Sequence, residues 1–246
     1  MIKKIGLFFL CFPLVMFVIE TLFFIIGWHV NCFAFIFAFI LVIGYILRNT
    51  SKKIRLKSIC WFVGITLASI FIGANVYDAS YDGQWYHSSI IKLMNDGWNP
   101  FYHPILQQDE VPYYTNTHIW VSHYAKGMET IEAGIVALTG NLESGKTLNI
   151  FLAISLFCFV FDFIGNFNKL DKGIIRFLVA LTTTLNPVLV NQMMTHYIDY
   201  TCYVFVTIGL VCVYNIVVKK ERSYMLPLLL MGFFVPTIKF NIAFWF

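Results

Sequence analysis

Seven stretches of this chain are apolar enough, and close enough to the roughly 20 residues required, to cross a hydrocarbon core as helices. They are residues 5–28, 30–47, 58–76, 147–164, 173–194, 201–218 and 225–246. Within lipid every backbone N–H and C=O has to be satisfied inside the segment or by a closed barrel, so runs of this length are expected to be helical. With 59% apolar and 12% charged residues, the chain is short of the polar side chains that a water-facing surface requires. The expected fold class is therefore all-α, a polytopic integral membrane protein. The first run exceeds the roughly 7–15-residue core of a secretory signal and has no small-residue cleavage pattern, so it is expected to be retained as a span.

Charge gives the expected orientation. The basic residues fall in groups between the runs: Lys3 and Lys4; Arg48, Lys52, Lys53, Arg55 and Lys57; Lys169, Lys172 and Arg176; Lys219, Lys220 and Arg222. Cytoplasmic loops carry the excess of Lys and Arg, which puts the N-terminus in the cytoplasm of a cell-membrane protein. Residues 77–146 and the turn 195–200 then share the outer face. The net charge of +4 comes from these short clusters and asks for no nucleic-acid partner.

One more apolar stretch, 119–138, is interrupted by Lys126, Glu129 and Glu132 and would invert the later basic loop if it crossed. It is expected to lie in the interface, as is a short helix over 88–95 ended by Gly97 and Pro100. Two regions follow. Residues 1–57 hold two spans and a basic loop, and 58–246 hold the remaining spans and the outer loop 77–146. The chain stops in or beside an apolar run, so C-terminal spans are expected to be missing. The cysteines Cys11, Cys32, Cys60, Cys158, Cys202 and Cys212 all lie in apolar runs without zinc-type pairing and read as packing residues.

The chemistry concentrates where apolar runs meet the outer face. Asp78 and Asp82 follow the third run by a few residues, where carboxylates are costly and tend to mark binding or proton transfer. Their spacing of four puts them on one face if the chain is still helical there, and in a loop they could still converge on one ligand. The short turn 195–200 offers His196 and Asp199 on the same side. Carboxylates from two outer turns suit glycosyl transfer, or a divalent cation held between Asp82 and Asp199. His87, His103, His118 and His123 are sixteen, fifteen and five residues apart, which gives no compact ligand pair and no assigned metal residue. Lys239, deep in the last run, is the candidate partner for an anionic group. Trp85, Tyr86, Trp98, Tyr102, Tyr113, Tyr114 and Trp120 can either stack on sugars or form the aromatic belt of the interface.

Residues 140–147, Gly-Asn-Leu-Glu-Ser-Gly-Lys-Thr, match the phosphate-cradling G-x-x-x-x-G-K-[ST] pattern literally. That pattern works after a buried strand of a soluble domain. Here it precedes an almost wholly apolar helix on the outer side, so nucleotide is not an expected partner.

Asp82-Gly83-Gln84-Trp85-Tyr86-His87, followed by Gly97-Trp98-Asn99-Pro100, resembles the Asp-x-x-x-Tyr-His and downstream Gly-x-x-Pro pattern of bacterial membrane glycosyltransferases of the GT-C superfamily. The resemblance covers roughly 58–218, including the order of a large acidic outer loop, two spans and a second short acidic loop. It implies an enzyme that moves a sugar from a polyprenyl-phosphate-linked donor to an envelope glycan or lipid acceptor on the outer face. Asp82 corresponds to the catalytic base, Asp78 is the competing choice, and Asp199 corresponds to the second-loop acid. Tyr86, His87, Trp98, His196 and Lys239 are the expected substrate-binding residues. The chain departs from the pattern in two additional spans before the matching region and in the missing C-terminal part. The alternative from another class is a non-enzymatic transporter or polysaccharide-export component.

Overall fold

The structure, a computed structural model, describes residues 2–111, 116–165, 167 and 173–239. Tyr113, Tyr114, Lys169 and Lys172 lie outside the described residues. The described chain is all helical: α1 Ile2–Ile25, α2 Cys32–Asn49, α3 Lys52–Asn75, α4 Ser88–Asn95, α5 Thr117–His123, α6 Gly127–Thr139, α7 Thr147–Ile164, α8 Gly173–Thr184, α9 Ile198–Val217 and α10 Met225–Ile238. Five helical runs are long and apolar enough to cross a membrane: Ile2–Ile25, Cys32–Asn49, Lys52–Asn75, Leu142–Ile164 and Ile198–Val217. The expected runs 173–194 and 225–246 are represented by the shorter apolar helices α8 and α10. α8 stops at Thr184 because Asn186 precedes Pro187, and a residue before proline is pushed out of helical geometry.

The apolar helices run alternately between two ends. At one end the basic clusters converge: Lys3 reaches Glu221 at 3.5 Å and Lys4 donates to the Asn49 carbonyl at 2.7 Å. The Tyr224 hydroxyl meets Asp162 there at 3.1 Å. At the opposite end Asn99 donates to the Phe24 carbonyl and Asn141 to the Ala74 carbonyl, at 2.9 and 3.1 Å. The segment joining α3 to α7 covers this second end as a cap.

Between the ends, packing holds the bundle. Lipid tails are as apolar as leucine, so helix association rests on close fit rather than on removal of water. Phe9, Phe12, Phe62 and Phe151 meet with ring centroids 5.3–5.7 Å apart. Gly6 lets α1 approach α7: a Cβ there would sit 2.7 Å from Cβ of Cys158, and Ser155 donates to the Gly6 carbonyl at 3.0 Å. Cys158, Cys202 and Cys212 are buried, and all six cysteines are free thiols.

The cap has its own core, in which Phe24, Tyr86, Ile90, Met94, Val121 and Ala133 are buried together. α4 spans the 88–95 segment and stops where Gly97 takes a left-handed φ of 105°, a conformation that glycine adopts without steric cost. Residues 119–138 depart from the single interfacial helix expected of them. They break at 124–126 into α5 and α6, and α6 is enclosed by protein, with every residue from Gly127 to Val136 buried. Glu129 and Glu132, expected to interrupt the apolar run, are buried and have buried histidine partners.

Candidate functional site

The site is built around α6 at the capped end. Glu129 and Glu132, one turn apart, face two histidines supplied by distant parts of the chain. His87 Nδ1 lies 2.5 Å from Glu129 Oε1, and His196 Nδ1 lies 2.8 Å from Glu132 Oε2. All four residues are essentially removed from solvent. The remaining polar atom of each, His87 Nε2, Glu129 Oε2, Glu132 Oε1 and His196 Nε2, has no hydrogen-bond partner among the described residues. Burial raises the Glu132 carboxyl above its ordinary range, with His196 opposing the shift. Burial alone would lower His196, but the charge and hydrogen bond of Glu132 outweigh it and raise the imidazole. Both shifts favour keeping a proton on the pair.

His87 is delivered by an unusual piece of backbone. Gly83–His87 is a π-helical turn that runs directly into α4. Such single turns widen the helix and recur at functional sites. Gly83 sits against the Asp78 carboxylate and the Ser80 hydroxyl, where any Cβ would overlap them. The turn also buries Tyr86, whose ring lies 4.2 Å from His87 and 4.9 Å from Tyr124, centroid to centroid. Burial first, then the hydrogen bond its phenol O–H donates to Tyr124, pushes the Tyr86 phenol well above its ordinary range.

The two first-loop acids have different surroundings. Asp78 is 2% exposed, and its oxygens accept the backbone N–H groups of Ser80 and His196, each at 2.8 Å. Asp82 is half-buried; its backbone N–H donates to the Tyr197 hydroxyl at 3.4 Å, and its carboxylate has no hydrogen-bond partner among the described residues. Asp199, in the first turn of α9, pairs with Lys239 at 2.9 Å. The structure thus joins Asp78 to His196, Asp199 to Lys239 and Tyr86 to His87. Among the described residues no hydrogen bond or ion pair joins Asp82 to Asp199, although Tyr197 links the segments that carry them.

Several expected binders are occupied elsewhere. Trp98 is 8% exposed and its indole N–H donates to the His103 carbonyl at 2.8 Å. Tyr102, by contrast, is 67% exposed, and Trp120 stacks on Tyr86 at 5.7 Å. His103 and His118 stay at the surface with Glu110 and Gln108 as partners. Among the described residues no group of three His, Cys, Asp or Glu is arranged to hold a metal ion. Residues Leu142–Lys146 form a 3₁₀ turn, and the buried Lys146 ammonium is bonded to the Val76 carbonyl and Glu143. Glu143 in turn accepts the Asp78 N–H at 3.0 Å, so this lysine ties the end of α3 to the start of α7.

Glu129 and Glu132 were not among the candidate residues. The signal was present: two carboxylates at i and i+3 in an otherwise apolar helix share a face and are costly to bury unpartnered. What sequence could not supply was their partners, 42 and 64 residues away. No protein-family model, curated protein or solved structure matches this chain.

Proposed function

We propose that this chain belongs to a cell-membrane enzyme that transfers a sugar from a polyprenyl-phosphate-linked donor to an envelope glycan or lipid acceptor, with Asp82 as the base. The observation that carries the reading is the state of Asp82. It is a half-buried carboxylate without a hydrogen-bond partner among the described residues, it lies beside a π-helical turn, and its backbone N–H is bonded to Tyr197 of the segment that also carries Asp199. A hydroxyl acceptor is a poor nucleophile at neutral pH, and a positioned carboxylate that takes its proton contributes roughly 10²–10⁴-fold. The sugar and its lipid carrier rest on the sequence resemblance. The capped end faces outward in this reading, because the basic clusters gather at the other end.

The test is Asp82→Asn in membranes holding the complete protein and a polyprenyl-linked donor. Transfer should fall by about two to four orders of magnitude at unchanged expression. Near-normal transfer removes the base. A reporter fused after Asn99 should be exported and one after Lys53 retained, and the reverse result inverts the site.

The second reading, a transporter, draws on the ionisable groups inside the fold. Glu20 of α1 is fully buried, its side-chain oxygens have no close hydrogen-bond partner among the described residues, and it approaches α6 where Gly134 leaves room. Solute uptake that depends on Glu20 and survives Asp82→Asn would favour it.

A further inference from the structure

A cavity of about 430 Å³ opens between α1, the 100–101 segment, the start of α6 and the end of α10. Its walls are mainly apolar, with Phe17, Phe24 and Phe101 among them, and Lys126 is the one charged residue among the described residues lining it. The hydroxyls of Thr21, Thr130 and Thr237 donate back to carbonyls of their own helices, so they offer the cavity no proton. Lys126 differs. Its ammonium has three donors, two of which go to the Ser122 and Tyr124 carbonyls at 2.9 and 2.8 Å.

The charge on Lys126 is only partly met by the protein: the ammonium lies over the Trp98 ring, 5.6 Å from its centroid, which supplies a weak cation–π attraction and no negative charge. No carboxylate lies within ion-pair distance among the described residues, and the nearby Glu129 is engaged with His87. Burial lowers the Lys126 pKa from its ordinary value, and Glu129 only opposes that shift. Lys239, expected to meet an anionic group, is already neutralised by Asp199. A half-buried cation held by two carbonyls and an aromatic face still lacks a paired counter-charge, and an anion would complete it. The walls ask for a hydrocarbon chain on the same molecule. Volume and lining both match those of small-molecule sites, which are mostly apolar with a few polar groups that fix orientation.

We infer that this cavity binds a phosphorylated membrane lipid, with Lys126 on the phosphate and the chain against Phe17, Phe24 and Phe101. The inference rests on the transferase reading for the identity of that lipid as a prenyl phosphate, and it assigns the phosphate to Lys126 instead of Lys239. A free phosphate ion is disfavoured by the walls, and a neutral lipid leaves the lysine without its anion.

The experiment is equilibrium binding of radiolabelled farnesyl phosphate to the full chain in nanodiscs, with farnesol and inorganic phosphate as competitors. Binding should saturate, farnesol should compete at least about tenfold more weakly, and inorganic phosphate at the same concentrations should not compete. Lys126→Gln should lose that preference for the phosphate, Lys126→Arg should keep it, and Thr21→Phe should weaken both lipids by filling the cavity. Melting temperatures of the three variants identify any that fail to fold; if Lys126→Gln does, folded Thr21→Phe decides the matter, and unchanged farnesyl phosphate binding in it would overturn the proposal. Equal affinity for farnesyl phosphate and farnesol in the parent, an unchanged preference in folded Lys126→Gln, or full competition by inorganic phosphate would overturn the proposal. The binding measurement involves no transfer step, so it can fail while Asp82→Asn still abolishes transfer, and can succeed while Asp82→Asn leaves transfer intact; the two readings fail separately.

Discussion

His196 is held twice by the capped end: its imidazole lies 2.8 Å from the Glu132 carboxylate, and its backbone N–H donates to Asp78, also at 2.8 Å. The turn before α9 is thereby fixed to α6 through one bond and to the end of α3 through the other. Asp199 and Tyr197, its close neighbours in sequence, inherit their positions from this anchor.

Glu132→Gln should be strongly destabilising. Removing one partner of a buried pair leaves the other desolvated and typically costs about 3–5 kcal/mol. The double replacement Glu132→Leu with His196→Leu should cost less than the two single changes added together. Thermal unfolding in detergent of the four proteins in that cycle measures the coupling, and strict additivity would show that the pair contributes nothing jointly.

Stability should fall as pH rises through the range in which this pair titrates. Both the Glu132 carboxyl and the His196 imidazole are raised in the folded state, so the folded protein binds more protons than the unfolded chain. The slope of stability with pH is then negative, beginning near the ordinary glutamate value of about 4.3 and continuing beyond the ordinary histidine value of about 6.5. The stabilisation is present below that window and lost above it. Melting temperature measured against pH should show the decline, and a profile equally steep in Glu132→Gln would assign it to other groups.

Asp78→Asn and Asp82→Asn should differ in kind. Asp78 uses both oxygens on backbone N–H groups, so its replacement presents an amide NH₂ to one of these donors and should lower stability by about 1–3 kcal/mol. Asp82→Asn breaks no bond of its carboxylate and should stay within about 0.5 kcal/mol of the parent. Gly83→Ala should resemble Asp78→Asn, because its Cβ would overlap the Asp78 carboxylate and force it off its donors. Denaturation of the three variants side by side tests the ranking.

Lys146→Ala should destabilise the joint between α3 and α7 by about 1–3 kcal/mol, since the Val76 carbonyl and Glu143 lose their cationic partner. A nucleotide that bound the folded chain would raise its melting temperature by mass action. MgATP should leave the melting temperature of the parent unchanged; a concentration-dependent rise would restore the phosphate-loop reading of residues 140–147.

Hydropathy and charge alone determined the helical class, the segments that became α1, α2, α3, α7 and α9, and the gathering of basic clusters away from Asp78, Asp82 and Asp199. These are local properties: about 20 apolar residues or a cluster of lysines say the same thing wherever the chain goes next. The 88–95 helix was legible for the same reason, since Gly97 is a stop signal that acts on its own neighbours. Tertiary structure decided the meaning of the charged residues. Glu129 and Glu132 look like interruptions of an apolar run until His87 and His196 arrive from elsewhere to share their protons. Asp78 and Asp82 have the same chemistry in sequence, and only packing satisfies one and leaves the other's carboxylate without a hydrogen-bond partner among the described residues. Lys239 finds its counter-charge in Asp199, 40 residues away, whereas among the described residues no carboxylate is within ion-pair distance of Lys126. The cost of burying a charge depends on what surrounds it in space, and distant segments bring those surroundings together only in the folded chain.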